Sequence, residues 1–130
     1  MHSLDSRAEK ALLFFISIAV ALLNRWFVTY LFGTTPVVLF MKWYLNDIIG
    51  ACGFCAYCDF MSLIFKKATI NSFMLIGIIV VAGLFWEYIT PMFRVDTTSD
   101  IYDLFAYVLG AAIYILIANA LNIVRNHKKQ

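Results

Sequence analysis

The sequence predicts an all-α polytopic membrane protein, a four-transmembrane-helix bundle built as one integral membrane domain of 130 residues. Three observations predict it. The chain is 63% hydrophobic and 14% charged, where soluble domains run near roughly 45–50% and about 25%. Four apolar stretches each reach the ~20 residues that a hydrocarbon core demands. The connections between them are short, so neighbouring spans run antiparallel. A soluble domain of this length could not hide so much apolar surface.

The first span covers about residues 10–32. Its stretch "ALLFFISIAVALL" also has the length of a signal-peptide core with a small-x-small site at Ala19-Val20-Ala21. The apolar run continues past that site, and Asp5 and Glu9 precede it, so a retained helix is expected. Gly33 to Pro36 opens the first connection. Residues 36–43, "PVVLFMKW", are apolar but too short to span. Joined to the second span (44–65) they would make a helix of about 45 Å at 1.5 Å per residue. That exceeds the membrane core, so an interfacial helix that bends near Asn46-Asp47 or Gly50 is expected. Lys66-Lys67 leads to the third span (70–90), where Pro91 should stop the helix because it cannot donate a backbone hydrogen bond. The fourth span covers 101–124. In lipid each backbone amide must be satisfied within its own segment, which makes all four helical.

Lysine and arginine set the expected orientation. The N-terminus, the 66–67 connection and the C-terminus share one side, with Arg7, Lys10, Lys66, Lys67, Arg125, Lys128 and Lys129. The other side has Arg25, Lys42 and Arg94. The positive-inside rule then puts both termini in the cytoplasm. Trp26, Trp43 and Trp86 fall near the outer ends of their spans, where amphipathic rings prefer the interface.

The remaining charges converge in depth. Arg25 lies in the outer third of the first span, Asp47 enters the second from outside, and Glu87 is near the outer end of the third. Asp100 and Asp103 open the fourth, with Arg94 in the loop between. A charge at mid-membrane costs about 2.5–3.5 kcal/mol on insertion scales, so these groups should face one another or water, with Arg25 the natural partner of Asp47 or Glu87. Asp100, Asp103, Tyr107 and Gly110 share one helical face, as do Gly83, Glu87 and Thr90. Two such faces at one depth form a ligand-binding cleft of Arg25, Asp47, Glu87, Arg94, Asp100, Asp103 and Tyr107. Asp100 also fits a Thr-x-x-Asp helix cap, and Asp96 reads as a solvated loop charge. Asp59 alone lies in the inner half, about 11 Å from Lys66 along the helix.

Residues 87–110 resemble the VanZ-like family of small bacterial membrane proteins, of the teicoplanin-resistance type. The matching residues are Glu87, Pro91, Arg94, Asp100, Asp103 and Gly110; Thr90 and Tyr107 stand where that family carries Gln and Asn. The resemblance implies an envelope protein without established enzyme chemistry, linked to lowered glycopeptide susceptibility, whose outer site takes an amphiphile of the outer leaflet.

Other chemistries find little support. His2 and His127 are terminal. Cys52, Cys55 and Cys58 have the Cys-x-x-Cys-x-x-Cys spacing of an iron–sulfur run but lack a fourth thiolate, and packing against neighbouring helices is their expected role. No metal or cofactor is expected, and a net charge of +2 without a basic stripe argues against nucleic acid. Membrane lipids are the expected partners. Three readings remain: a binder of an envelope lipid or lipopeptide, a small proton- or cation-coupled transporter working as a homo-oligomer, and an enzyme acting on a lipid headgroup.

Overall fold

The structure, a computed structural model, describes residues 2–30, 35–65, 68–93 and 101–127. It is all-α: α1 (His2–Tyr30), α2 (Pro36–Trp43), α3 (Leu45–Phe65), α4 (Ser72–Phe93) and α5 (Ile101–His127). Four helical stretches are long and apolar enough to cross a membrane, with α2 and α3 together supplying the second. The chain is thus a multi-pass membrane protein. Large apolar side chains such as Leu22, Phe73 and Leu116 face outward, as a lipid solvent permits.

Residues 36–43 form a helix of their own, as expected, and the bend in the second span falls at Tyr44, just before Asn46-Asp47, with Tyr44 at φ −114° and ψ −29°. A side chain from another helix meets the chain at this break. Buried Asn24 of α1 donates its amide to the Met41 carbonyl at 3.1 Å and to Asn46 Oδ1 at 3.0 Å. Met41 is in the last turn of α2, where carbonyls have no partner within the helix. Pro91 does not stop α4; it sits inside the last turn, and the helix runs on to Phe93. A proline this close to a helix end removes one hydrogen bond and leaves few turns after it to disturb.

α3 is the centre of the bundle. It lies against α1 on one side and α5 on another, while α4 packs mainly on α5 and only lightly on α3. Small residues let these helices approach, which matters in lipid because close packing replaces the hydrophobic drive. Ser17 of α1 sits so near Gly53 that a Cβ there would come within 2.8 Å of the Ser17 Cβ. A Cβ on Gly110 of α5 would overlap the Ile48 carbonyl oxygen and lie 2.8 Å from the Ala51 Cβ. Gly83 of α4 rests on the Tyr107 ring in the same way. Between these contacts the core is filled by Cys52, Cys55, Ala56, Ala111 and Tyr114. Cys52 and Cys55 are buried free thiols, which is the packing role their size suggests.

These contacts predict unequal tolerance among the glycines. Gly110→Ala should lower stability by about 1–3 kcal/mol, as overpacking does. Gly50→Ala, with nothing within 4 Å of the added carbon, should change it by less than about 1 kcal/mol in the stabilising direction. Thermal unfolding in detergent micelles, followed by circular dichroism, measures both; equal stability of the two variants would contradict the α3–α5 approach.

Candidate functional site: two polar ends

At the end opposite the termini, a cavity of about 540 Å³ opens between α3 and α4 and is floored by α5. Its shape follows from the fold, because α4 leans on α5 and leaves α3 largely uncovered along this side. Asn46 and Asp47 supply a polar end, Phe54, Ile79 and Trp86 an apolar wall, and Tyr107 the floor. The Tyr107 hydroxyl donates to Glu87 Oε1 at 3.1 Å, tying α5 to α4. Asp47 lies within electrostatic reach of Asp103 and Glu87. Carboxylates from α3, α4 and α5 therefore meet around one tyrosine. Among the described residues, no three His, Cys, Asp or Glu side chains come close enough together to hold a metal ion. The carboxylates act as separated acceptors around an amphipathic hollow.

The site expected from the sequence divides accordingly. Of its residues, Asp47 and Tyr107 line the cleft, Glu87 joins it through its hydrogen bond with Tyr107, and Asp103 lies within electrostatic reach of Asp47. Arg25, exposed on α1, is not among the lining residues. Arg94 and Asp100 lie outside the described residues, as does Asp96.

The opposite end, where both termini lie, holds a second polar cluster that falls outside the site expected from the sequence. It centres on Asp59, which is 3% exposed. Its Oδ1 accepts the Ile70 backbone N–H at 2.7 Å, and its Oδ2 accepts the Tyr114 hydroxyl at 2.5 Å. The Lys10 ammonium, on a residue 2% exposed, stands 3.9 Å from Oδ2 and 5.0 Å from the centre of the Tyr114 ring. One carboxylate thus joins α1, α5 and the segment between α3 and α4. Around it, Arg7 donates to the Leu63 carbonyl at 2.9 Å, capping the last turn of α3. Glu9 pairs with Arg125 at 3.3 Å, bringing the start of α1 beside the end of α5. A signal for this cluster does exist in the residues: an aspartate inside an apolar run needs a partner. Lys10 lies at nearly the same depth, a few residues into α1 as Asp59 is a few residues from the end of α3. Counted only as a flanking positive charge, Lys10 gives no hint of the pairing.

This geometry predicts strong coupling between Lys10 and Asp59. Lys10→Met alone should cost about 3–5 kcal/mol, because it strands a buried carboxylate. Adding Asp59→Asn to it should recover a large part of that loss. A thermal-unfolding double-mutant cycle in one micelle type measures the coupling; additive effects would show that the two charges stabilise nothing together. Comparison with protein-family models, with curated proteins and with solved structures finds no match for this chain.

Proposed function

We propose that the cleft between α3 and α4 binds an amphiphile whose headgroup carries hydrogen-bond donors, an amine above all. One observation carries this reading: the Asp47 carboxylate and the Tyr107 ring share a cavity of about 540 Å³ with Phe54, Ile79 and Trp86. Ligand sites combine a mostly apolar wall with a few placed polar groups, and a carboxylate beside other carboxylates favours a cationic donor. The apolar side continues towards the lipid-facing surface, where Phe85 and Trp86 are exposed, so a chain-bearing molecule can enter from the bilayer. An envelope lipid or lipopeptide fits that description. The likeness of Glu87, Pro91, Arg94, Asp100, Asp103 and Gly110 to the VanZ-like pattern adds a glycopeptide-susceptibility phenotype to this reading. The excess of Lys and Arg at the termini end favours the cytoplasmic side of a bacterial inner membrane for that end, and the outer leaflet for the cleft.

Transport would use the same carboxylates, with Asp59 as the inward station. The packing supports one-sided binding instead. Asp47 and Asp59 are about 18 Å apart along α3, and the layer between holds fully buried Cys55 and Ala111. Both Asp59 oxygens already accept hydrogen bonds.

In nanodiscs, Asp47→Asn should weaken binding of dodecylamine about tenfold, which is about 1.4 kcal/mol, and leave binding of dodecanol nearly unchanged. Trp86→Ala should weaken both. Tryptophan fluorescence or calorimetric titration reads the difference. Dodecylamine binding that is indifferent to Asp47→Asn, Tyr107→Phe and Trp86→Ala would rule the reading out. In cells, loss of a glycopeptide phenotype in Asp47→Asn at unchanged protein level, with Lys10 and Asp59 intact, is the matching result.

A further inference from the structure

A second cavity, of about 360 Å³, lies at the termini end, where α1, α3, α4 and α5 meet. Its walls are polar where the first cavity's are apolar: Lys10, Asp59, Asn71, Ser72, Asn119 and Asn122 line it. The question is which of these groups can still recognise a ligand. Each Asp59 oxygen already accepts a hydrogen bond, from the Ile70 N–H and from the Tyr114 hydroxyl, so the carboxylate is committed to holding the helices together. Lys10 is different. Its ammonium has three donors and no acceptor. At 3.9 Å the Asp59 oxygen is beyond hydrogen-bond reach, and Lys10 forms no hydrogen bond among the described residues. A side chain 2% exposed therefore brings unused donors to the wall of a polar cavity.

Two further features carry the same sign. The 22-residue helix α4 begins at this cavity. Asn71 caps it, its Oδ1 accepting the Phe73 N–H at 3.0 Å and its carbonyl the Leu75 N–H at 2.9 Å. The start of a helix carries partial positive charge and free N–H groups, which attract anions. On α5, the Asn122 oxygen accepts from Arg125, which leaves the Asn122 amide N–H₂ as the group to offer. Donors thus outnumber open acceptors around this hollow. We propose that it is a binding site for a phosphate group, with the Lys10 ammonium as principal ligand and the start of α4 and the Asn122 amide completing it. The site is separate from the α3–α4 cleft and does not rest on the reading given to that cleft.

The test is calorimetric titration of the full chain in maltoside micelles, with two probes run against sodium chloride at matched ionic strength. The probes are inorganic phosphate and dihexanoyl phosphatidic acid. Two variants address the site. Lys10→Met combined with Asp59→Asn removes the ammonium together with its counter-charge. Asn119→Phe fills the mouth from an exposed position of α5 and keeps the pair intact, so it decides the matter should the double variant not fold. Saturable binding of at least one probe is expected, weakened tenfold or more in both variants and unchanged in Glu87→Gln at the far end. Binding of inorganic phosphate identifies a free anion as sufficient; binding of the short-chain lipid alone identifies a lipid headgroup. Absence of saturable binding by either probe, or full affinity in Asn119→Phe, overturns the proposal.

Discussion

The Asp59 carboxylate is the point at which the bundle is tied. It is held by a hydroxyl from α5, a backbone N–H from the α3–α4 connection and an ammonium from α1. In an apolar interior each of those groups would be costly alone, because water is not there to replace a missing partner. The hydroxyl and the N–H satisfy the carboxylate and the ammonium balances its charge, and they can do so only if α1, α3 and α5 stand in one register. The ion pair contributes little net stability once desolvation is counted, since a buried pair is poor evidence of stabilisation. Its weight is in specificity. Sliding α1 by one turn along α3 would move Lys10 by about 5.4 Å and leave a charge facing hydrocarbon.

Above this knot the packing is set by small side chains. Gly53, Gly110, Ala51 and Ala111 bring backbones together, and no branched residue could replace Gly110 where the Ile48 carbonyl fills its place. The middle of the molecule is therefore dense and the two ends are hollow. The hollows differ in kind because their walls differ in origin. One is the gap left by α4 leaning away from α3, so lipid-facing apolar residues line it. The other is the junction where helix ends meet, so caps, amides and charges line it.

Much of this is legible in the residues. The four spans follow from composition and length, which need no knowledge of neighbours. Asp47, Glu87, Asp103 and Tyr107 can be placed together by depth and helical face alone. What escapes the sequence depends on a residue from another helix. The residues around Asn46 announce a bend, but its place at Tyr44 coincides with the contact that Asn24 of α1 makes with Met41 and Asn46. Lys10 is one more flanking cation until the position of α1 against α3 sets it facing Asp59. Pro91 suggests a stop by a local rule, but a proline near a helix end is weaker punctuation than one at its middle.

The break at Tyr44 also bears on how the protein suits its bilayer. Without it, the second span would be a rod of 30 residues, about 45 Å long at 1.5 Å per residue. Such a rod must tilt or thicken the membrane around it, at a modest cost for each ångström of hydrophobic mismatch. With it, α3 alone has 21 residues, about 32 Å, close to the roughly 30 Å of a typical hydrocarbon core. The leading segment α2 buries no residue in the bundle and is tied to α1 through the Asn24–Met41 hydrogen bond. The span that carries Asp59 therefore matches the hydrocarbon core by its own length, and the surplus apolar length is set apart in α2.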